Sequence, residues 1–446
     1  MVNLARAQRP RAAAAVRILL YAAGIGGAAV VADVLRPPGV GVAYRLGLGA
    51  ALVGFSILAM QVVVAARLKW GEWPFGMGAV MRFHKAMALV GVLLLMMHPV
   101  LLAIGSDASV VLPDRMPWHL LLGPTAIGLL MLNWTLSQFR QTLDFEFQKW
   151  RWSHNILGLA ILACAFLHSY FTGGDLASPV MRVAWPAAIG VIGLAYLYHR
   201  AFRPLALRRN AWKVVQVKAE TYAVTTVALE PPAGVPRFDY WPGQFHFLTF
   251  HRQDKSLPTE EHHWTISSSP TQPGIVTSTI KASGDFTATM PRTRVGDTAQ
   301  VLGPYGRFSY VLHPGEGDLG LVAGGIGITP LMAMIRHMHD TGDPRRVLLV
   351  YANRAERDIV FREELDALAA SGRPALTVVH VLDHADDSWT GLRGRVDEAL
   401  LRRHYPDAAA RAFYVCGPPA MSDGVIRALR KMGVARRAIH SERFSL

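Results

Sequence analysis

Charge is scarce in this chain. Of its 446 residues only 17% are Asp, Glu, Lys or Arg, against roughly 25% in an average soluble domain. What charge there is leans one way: 46 Lys and Arg face 32 Asp and Glu, for a net charge of +14 and a pI of about 10.1. A basic pI often points to nucleic acid, but nucleic-acid binders place Lys and Arg on polar surfaces. Here 51% of residues are hydrophobic and the mean hydropathy is +0.24. Membrane insertion accounts for both numbers, and nucleic acid is excluded as a partner. Cysteine is almost absent. Cys164 and Cys416 alone cannot build a disulfide framework, a four-cysteine zinc site or an iron–sulfur cluster on four thiolates of this chain. Disorder is excluded by the abundance of apolar residues.

The average conceals two different halves. Residues 1–200 are a train of six apolar runs, about 13–34, 44–66, 84–104, 118–136, 154–172 and 182–199, each close to the length that crosses a ~30 Å hydrocarbon core. After Arg200 short β-like segments rich in Val, Thr and Phe are broken by Pro and Gly, and strand–helix alternation takes over from about residue 318. Arg200–Arg209 is basic, carries a proline and reads as a linker leaving a membrane surface. Basic residues cluster before the first run (Arg6, Arg9, Arg11, Arg17), in alternate loops (Arg67, Lys69, Arg82, Lys85; Arg140, Lys149, Arg151) and after the sixth run (Arg200, Arg203, Arg208, Arg209, Lys213). The intervening loops hold only Arg36 and Arg45, then Arg115, then Arg182. The positive-inside rule then places the N-terminus and everything after residue 200 in the cytoplasm of a multi-pass cell-membrane protein. A cleaved signal peptide in place of the first span would leave that orientation unchanged.

Four histidines sit in the membrane half. His84 and His98 belong to the third run, His154 and His168 to the fifth. Each pair is 14 residues apart, close to four helical turns, so each lies on nearly one helix face with ~21 Å between its members. Both helices run in the same direction, which levels His84 with His154 and His98 with His168. One His at a helix end would be unremarkable as an interfacial residue. Two matched pairs at one spacing suit two axial ligands on each of two haem irons, with no open iron position. Arg82, Lys85 and Arg151 near the inner level, and Arg115 or His119 near the outer, are candidates for haem propionates.

The second half reads as a flavin module followed by a nucleotide module. Gly243–Phe247 is strand-like, and His262-His263-Trp264-Thr265-Ile266-Ser267-Ser268 offers aromatic, hydroxyl and backbone groups that can seat a ring system; alone it could equally be a polar strand. Ile280-Lys281 leads through Ala282 and Ser283 to Gly284-Asp285-Phe286-Thr287, a glycine turn into a short helix whose N–H groups suit pyrophosphate. Gly303-Pro304-Tyr305-Gly306 closes the β segment. Leu319–Ala323 is a buried-type strand running into Gly324-Gly325-Ile326-Gly327-Ile328-Thr329-Pro330, a glycine loop before a helix where backbone amides can approach phosphates. It is not the G-x-G-x-x-G fingerprint. Strands at 347–351, 376–382 and 413–415 alternate with helices as in a parallel sheet. Cys416-Gly417-Pro418-Pro419-Ala420-Met421 sits at that sheet's carboxyl edge, where Cys416 either faces nicotinamide or is a buried structural thiol. Arg354 and Arg357 either grip a 2′-phosphate, favouring NADPH over NADH, or are solvated loop charges.

Taken together these motifs resemble the ferric reductase/NADPH oxidase superfamily, a six-helix ferric-reductase-type transmembrane domain fused to a ferredoxin-NADP reductase-type module. The likeness runs over nearly the whole chain. The two histidine pairs match that family's haem ligands. His262–Ser268 resembles its His-Pro-Phe-Thr-Ile-Ser flavin motif, with His263 for Pro and Trp264 for Phe. Gly284–Thr287 resembles its Gly-Asp-Trp-Thr turn, with Phe286 for Trp. Gly324–Pro330 and Cys416–Met421 match its nicotinamide-nucleotide motifs. Glu442-Arg443-Phe444 resembles its ending, in which an aromatic ring stacks on the flavin, although Ser445 and Leu446 follow here. No EF-hand loop is visible.

The resemblance implies an all-α transmembrane bundle (1–200), a linker (201–213), an antiparallel β-barrel FAD domain (214–312) and an α/β parallel-sheet NAD(P) domain (313–446). It implies an NAD(P)H-dependent flavohaem reductase or oxidase: NADPH, FAD and two haem b groups serving an outer acceptor, ferric chelate or dioxygen. Cys416, Phe444 and Thr265 fall at the hydride-transfer centre. A different class of reading is a membrane haem subunit or docking platform that exchanges electrons with a quinone or partner protein and turns over little NADPH itself.

Overall fold

The structure, a computed structural model, describes residues 10–36, 39–106 and 116–443. Arg6, Arg9, Arg115 and Phe444 therefore lie outside the described residues. The chain divides into two compact units, Arg9–Phe202 and Arg203–Leu446.

In the first unit six helices are long and apolar enough to cross a membrane. They are α1 (Pro10–Leu35), α2 (Val42–Ala65), α3 (Met77–Gly105), α4 (Trp118–Gln138), α5 (Phe147–Thr172) and α6 (Pro179–Leu197). Their outward faces carry large apolar side chains open to the surroundings, such as Leu93 at 55%, Val183 at 73% and Val191 at 67% exposure. In water such faces are costly, at roughly 25 cal/mol per Å², whereas hydrocarbon accepts them. Helices α3 and α5 begin earlier than the apolar runs suggest, at Met77 and Phe147. Their first turns carry Arg82, Lys85, Lys149 and Arg151, whose aliphatic stems can lie along the helix while the charged ends reach the interface. His84 and His154 consequently stand two turns inside, each seven residues from its helix start. α2 packs closely on α3 because a Cβ at Gly54 would stand only 3.0 Å from Leu95 and 3.3 Å from the Gly91 carbonyl, a small-residue contact of the kind that joins membrane helices.

The stretch expected as a linker is helical. After α6 come a π-helical turn, Tyr198–Phe202, and a short helix, Arg203–Arg209. Pro204 lies where the π-helical turn passes into that helix and has no N–H to give to the preceding turn.

The second unit begins with six antiparallel strands: β1 (Trp212–Thr221), β2 (Val224–Glu230), β3 (Phe245–His251), β4 (Glu261–Thr265), β5 (Val276–Lys281) and β6 (Thr298–Tyr305), in the order β4-β3-β6-β1-β2-β5. Alternate residues such as Val227 and Leu229, Leu248 and Phe250, face a common core with Trp212, Ile266 and Val276. The expected barrel does not close. No ladder joins edge strands β4 and β5, because the chain leaves strand geometry after Thr265 and the serine hydroxyls take over. Ser267 N bonds Thr277 O, and Thr277 N donates to Ser268 Oγ.

A second sheet follows, all parallel: β7 (Leu319–Gly324), β8 (Arg346–Asn353), β9 (Ala375–Leu382), β10 (Leu392–Arg393), β11 (Ala412–Cys416) and β12 (Ile439–Glu442), in the order β10-β9-β8-β7-β11-β12. Helices α7 (Ile328–Thr341), α8 (Arg362–Ser371), α9 (Glu398–His404) and α10 (Pro419–Lys431) cover it. Its central strands read as continuous apolar runs because both faces are buried. Leu319, Leu321 and Ala323 face one core with Tyr414 and Cys416, while Val322, Phe413 and Val415 face the other. The chain order reverses between β7 and β11, the switch point at whose carboxyl edge such sheets bind ligands.

Candidate functional site

Three of the four membrane histidines have one ring nitrogen fixed by an oxygen acceptor. His98 Nδ1 donates to Gly47 O at 3.0 Å, and His168 Nδ1 donates to His119 O at 3.0 Å. His154 Nδ1 lies 3.0 Å from Asn133 Oδ1 and 3.3 Å from Ser137 Oγ. A carbonyl can only accept, so the proton sits on Nδ1 and the Nε2 lone pair is left free, the arrangement usual behind a metal-ligating histidine. The His84 and His154 ring centroids stand 6.4 Å apart. Two imidazoles sharing one ion at ~2 Å from each nitrogen put their centroids roughly 6 Å apart, so this pair has the spacing for a metal between its rings. His84 Nδ1 is buried and bonds nothing among the described residues. At the other level His98 and His168 line one apolar cavity with Leu95, Phe55, Leu130 and Ile161. A Cβ at Gly123 would stand 3.0 Å from the His168 ring, so only glycine leaves that imidazole its place. Asn133 and Gly123 escaped the sequence reading, since neither belongs to a recognisable motif. His119 contributes its carbonyl.

In the second unit β3 and β4 pair so that Phe245 faces Thr265 and His246 faces Trp264. The Thr265 hydroxyl is buried without a partner among the described residues. Such an orphan costs about 1–3 kcal/mol unless something bonds it, and a flavin heteroatom would. His262 bonds Glu260 at 2.8 Å and stacks on Phe286 at 4.4 Å; Trp264 also stacks over Phe286. These rings form one aromatic wall. Ile266, Ser267 and Ser268 are fully buried. The Ser267 hydroxyl is engaged by Thr277 and Thr279, that of Ser268 by Tyr240, so both side chains pin the sheet. The glycine turn leads into a four-residue helix over Asp285–Ala288. Thr287 Oγ1 takes the Ser283 and Gly284 N–H groups at 2.9 Å each, which removes two donors from any phosphate. Lys281 is exposed at the end of β5. Gly303 lies against His246, where a Cβ would stand 2.6 Å from its Cβ, and Gly306 (φ +98°) lies against the Phe245 ring. His246, fully buried and bonded to Ser278 at 2.6 Å, is held neutral by burial, its pKa pushed down to about 3.

The two nucleotide motifs meet at the switch point. A Cβ at Gly327 would stand 2.3 Å from Cys416 O, and one at Gly324 would stand 2.7 Å from Pro418 and Met421. Gly417 packs on Gly324 in return. Glycine is needed at these positions because two backbones touch. Gly325 takes a positive φ of 52°, Thr329 Oγ1 bonds Ile326 O, and Pro330 sits in the first turn of α7. Cys416 is fully buried. Burial, helped by nearby Glu442, pushes its thiol well above the usual range, so it is a protonated thiol and no nucleophile. Glu442 pairs with Cys416 across β12 and β11. Its Oε2 is closed off without a partner among the described residues, and burial raises its pKa to about 8. Arg354 is exposed after β8, while the Arg357 guanidinium lies over the Tyr222 ring at 5.3 Å; the two do not converge on a shared partner.

One residue without a sequence signal joins the halves of this unit. Arg336 on α7 donates to Ser267 O at 2.5 Å and pairs with both Glu364 oxygens at 2.7 Å. Its guanidinium also lies 4.7 Å above Phe361.

Residues 321–427 match the model of the oxidoreductase NAD-binding domain. That span is similar to the NAD-binding domain of oxidoreductases, and the relatives that match this unit include reductase subunits. The chain is 36% identical over 175 residues to a nitrate reductase [NADPH] of Aspergillus niger, a match covering 37% of this chain and 20% of that protein. It is 31% identical over 227 residues to the stachydrine N-demethylase reductase subunit of Rhizobium meliloti, covering 50% and 63%. The chain thus spans a fifth of the first relative and less than two thirds of the second. The FAD/NAD-binding domain of a Vibrio cholerae nitric oxide dioxygenase superposes with a TM-score of 0.47 at 23% identity, over 53% of this chain and 98% of that one.

Proposed function

We propose that the chain is a transmembrane oxidoreductase that takes electrons from cytoplasmic NADPH and delivers them to an acceptor on the outer side, ferric chelate or dioxygen. The observation that carries this reading is the pair of facing imidazole couples, His84 with His154 and His98 with His168, in a chain that also holds a flavin reductase module. When bound, FAD would convert a hydride into single electrons and two b-type haems would relay them through the bilayer.

The protein's own residues have the following parts. Gly47 O, His119 O and Asn133 Oδ1 hold their histidines in the Nδ1–H form, so that each Nε2 lone pair is available to iron. The apolar lining around His98 and His168 keeps water from that level, so that these two imidazoles would be the groups that hold a haem there. Thr265 offers its unspent hydroxyl to the flavin, with the aromatic wall of His262, Trp264 and Phe286 beside it and Phe444 as the stacking ring. Gly324–Pro330 and Gly417–Met421 bring backbone amides to the pyridine nucleotide, while Cys416 and Glu442 border the place of hydride transfer. Arg354 and Arg357 would meet the 2′-phosphate, which requires Arg357 to leave Tyr222. Residues 1–200 form the haem domain, 214–312 the flavin domain and 313–446 the nucleotide domain. The basic loops set both termini in the cytoplasm. An inside-negative potential then favours each outward electron by about 2.3 kcal/mol per 100 mV.

Replacing His98 or His168 by Ala tests this reading. Acceptor reduction is expected to vanish while NADPH still bleaches the flavin. A chain serving only as a docking platform would show no such split, and that result would overturn the proposal.

A further inference from the structure

A second cluster uses none of the residues assigned above. His313 and Glu316 belong to the crossover between β6 and β7, and His440 to β12. One ligand atom from each lies within 4.8 Å of the other two. His440 Nε2 bonds Glu316 Oε1 at 2.6 Å, and Tyr414 donates to Glu316 Oε2 at 2.7 Å. The rings of His313, His440 and Tyr414 are stacked, with centroids 4.1 Å apart between the histidines and 4.6 Å between His440 and Tyr414.

Glu316, His440 and Tyr414 would satisfy one another without His313. The His313 imidazole is half-buried, yet it makes no side-chain hydrogen bond among the described residues. It therefore brings an unspent ring nitrogen to a carboxylate and a second imidazole. Two nitrogens and one carboxylate oxygen are a donor set for a borderline divalent cation, and too rich in nitrogen for Mg²⁺ or Ca²⁺. Ligand atoms around one Zn²⁺ stand about 3–4 Å apart, so side-chain rotation closes the remaining gap. The Tyr414 hydroxyl would orient the ligating carboxylate from behind.

We propose that His313, Glu316 and His440 form a Zn²⁺ site with water in the fourth position. The ion would fasten β12, two residues before Glu442, to the crossover that links the flavin and nucleotide sheets. No step of the electron transfer proposed above uses these residues, so failure of one reading leaves the other standing.

The test is zinc binding by the full-length chain in detergent after treatment with chelator. Equilibrium dialysis against Zn²⁺ is expected to show one site per chain fewer in His313→Ala than in the unaltered protein, with an unchanged count in His384→Ala, a remote exposed control. Co²⁺ as probe should give a visible d–d band that both His313→Ala and Glu316→Gln lose. His313→Ala removes no hydrogen bond, and its flavin content verifies the fold; should it lose flavin, His313→Asn takes its place. Equal zinc stoichiometry and affinity in the unaltered chain and the His313 variant would overturn the proposal, as would an equal loss in the His384 control.

Discussion

Arg336→Met probes how the nucleotide sheet is held against the flavin strand. Methionine keeps an apolar stem on Phe361 but removes three hydrogen bonds, two to Glu364 and one to Ser267 O. The Glu364 pair is weakened by solvent, since that side chain is 41% exposed and Arg336 only 20%; such a pair contributes about 0.5–1 kcal/mol. The bond to the buried Ser267 carbonyl is charge-assisted and contributes about 1.5–3 kcal/mol. The expected loss is therefore about 2–4 kcal/mol of stability, read from denaturant unfolding followed by flavin fluorescence. Because Ser267 lies two residues from Thr265, the loosened strand should also slow hydride delivery. Stopped-flow reduction of the flavin by NADPH should fall about tenfold, equivalent to ~1.4 kcal/mol in the barrier, with flavin content retained. Arg336→Lys, which cannot serve both acceptors at once in the guanidinium's fork geometry, should recover some of the rate. A rate within twofold of the unaltered protein, together with a stability loss under ~0.5 kcal/mol, would refute the strut.

Glu442→Gln should change the pH dependence of stability. A carboxyl raised from 4.5 to about 8 favours the folded state when protonated, so the unaltered module loses stability as pH rises through that window, by up to about 1.4 kcal/mol per pH unit. The Gln variant should lack this slope; melting curves that stay parallel from pH 5 to 9 would contradict it. Gly327→Ala must push apart backbones that leave a Cβ only 2.3 Å from Cys416 O, so a loss of about 1–3 kcal/mol and a raised KM for NADPH are expected from unfolding and steady-state assays. Gly123→Ala should push the His168 ring aside and cost the outer haem, halving the pyridine-haemochrome yield per chain.

The six spans were legible because hydropathy needs no tertiary context, and their cores match the helices found. Their ends were not, since Arg82 and Lys149 look like loop residues until a helix carries them to an interface. The parallel sheet was visible in the double-buried strands around Val322 and Val415. The barrel was misread because an open and a closed antiparallel sheet share one alternation, and the difference lies in where Ser267 and Ser268 spend their hydrogen bonds. Among candidate site residues, glycine motifs and histidine spacings are local patterns and could be seen. Arg336, Asn133 and the His313–Glu316–His440 cluster arise only when distant segments meet, and no local pattern announces them. At Gly284 the sequence shows a turn of the phosphate-binding kind, but not that the Thr287 hydroxyl takes the Ser283 and Gly284 N–H groups.

The central claim is that reducing power from NADPH reaches imidazole-ligated iron within this one chain. An NADPH-reduced minus oxidised absorbance spectrum of the purified full-length protein tests it most directly. The account predicts the sharp α-band of a six-coordinate b-type haem, at about two haems per chain, appearing after the flavin bleaches. A flavin that bleaches with no haem band, or a chain that purifies without haem, would contradict it.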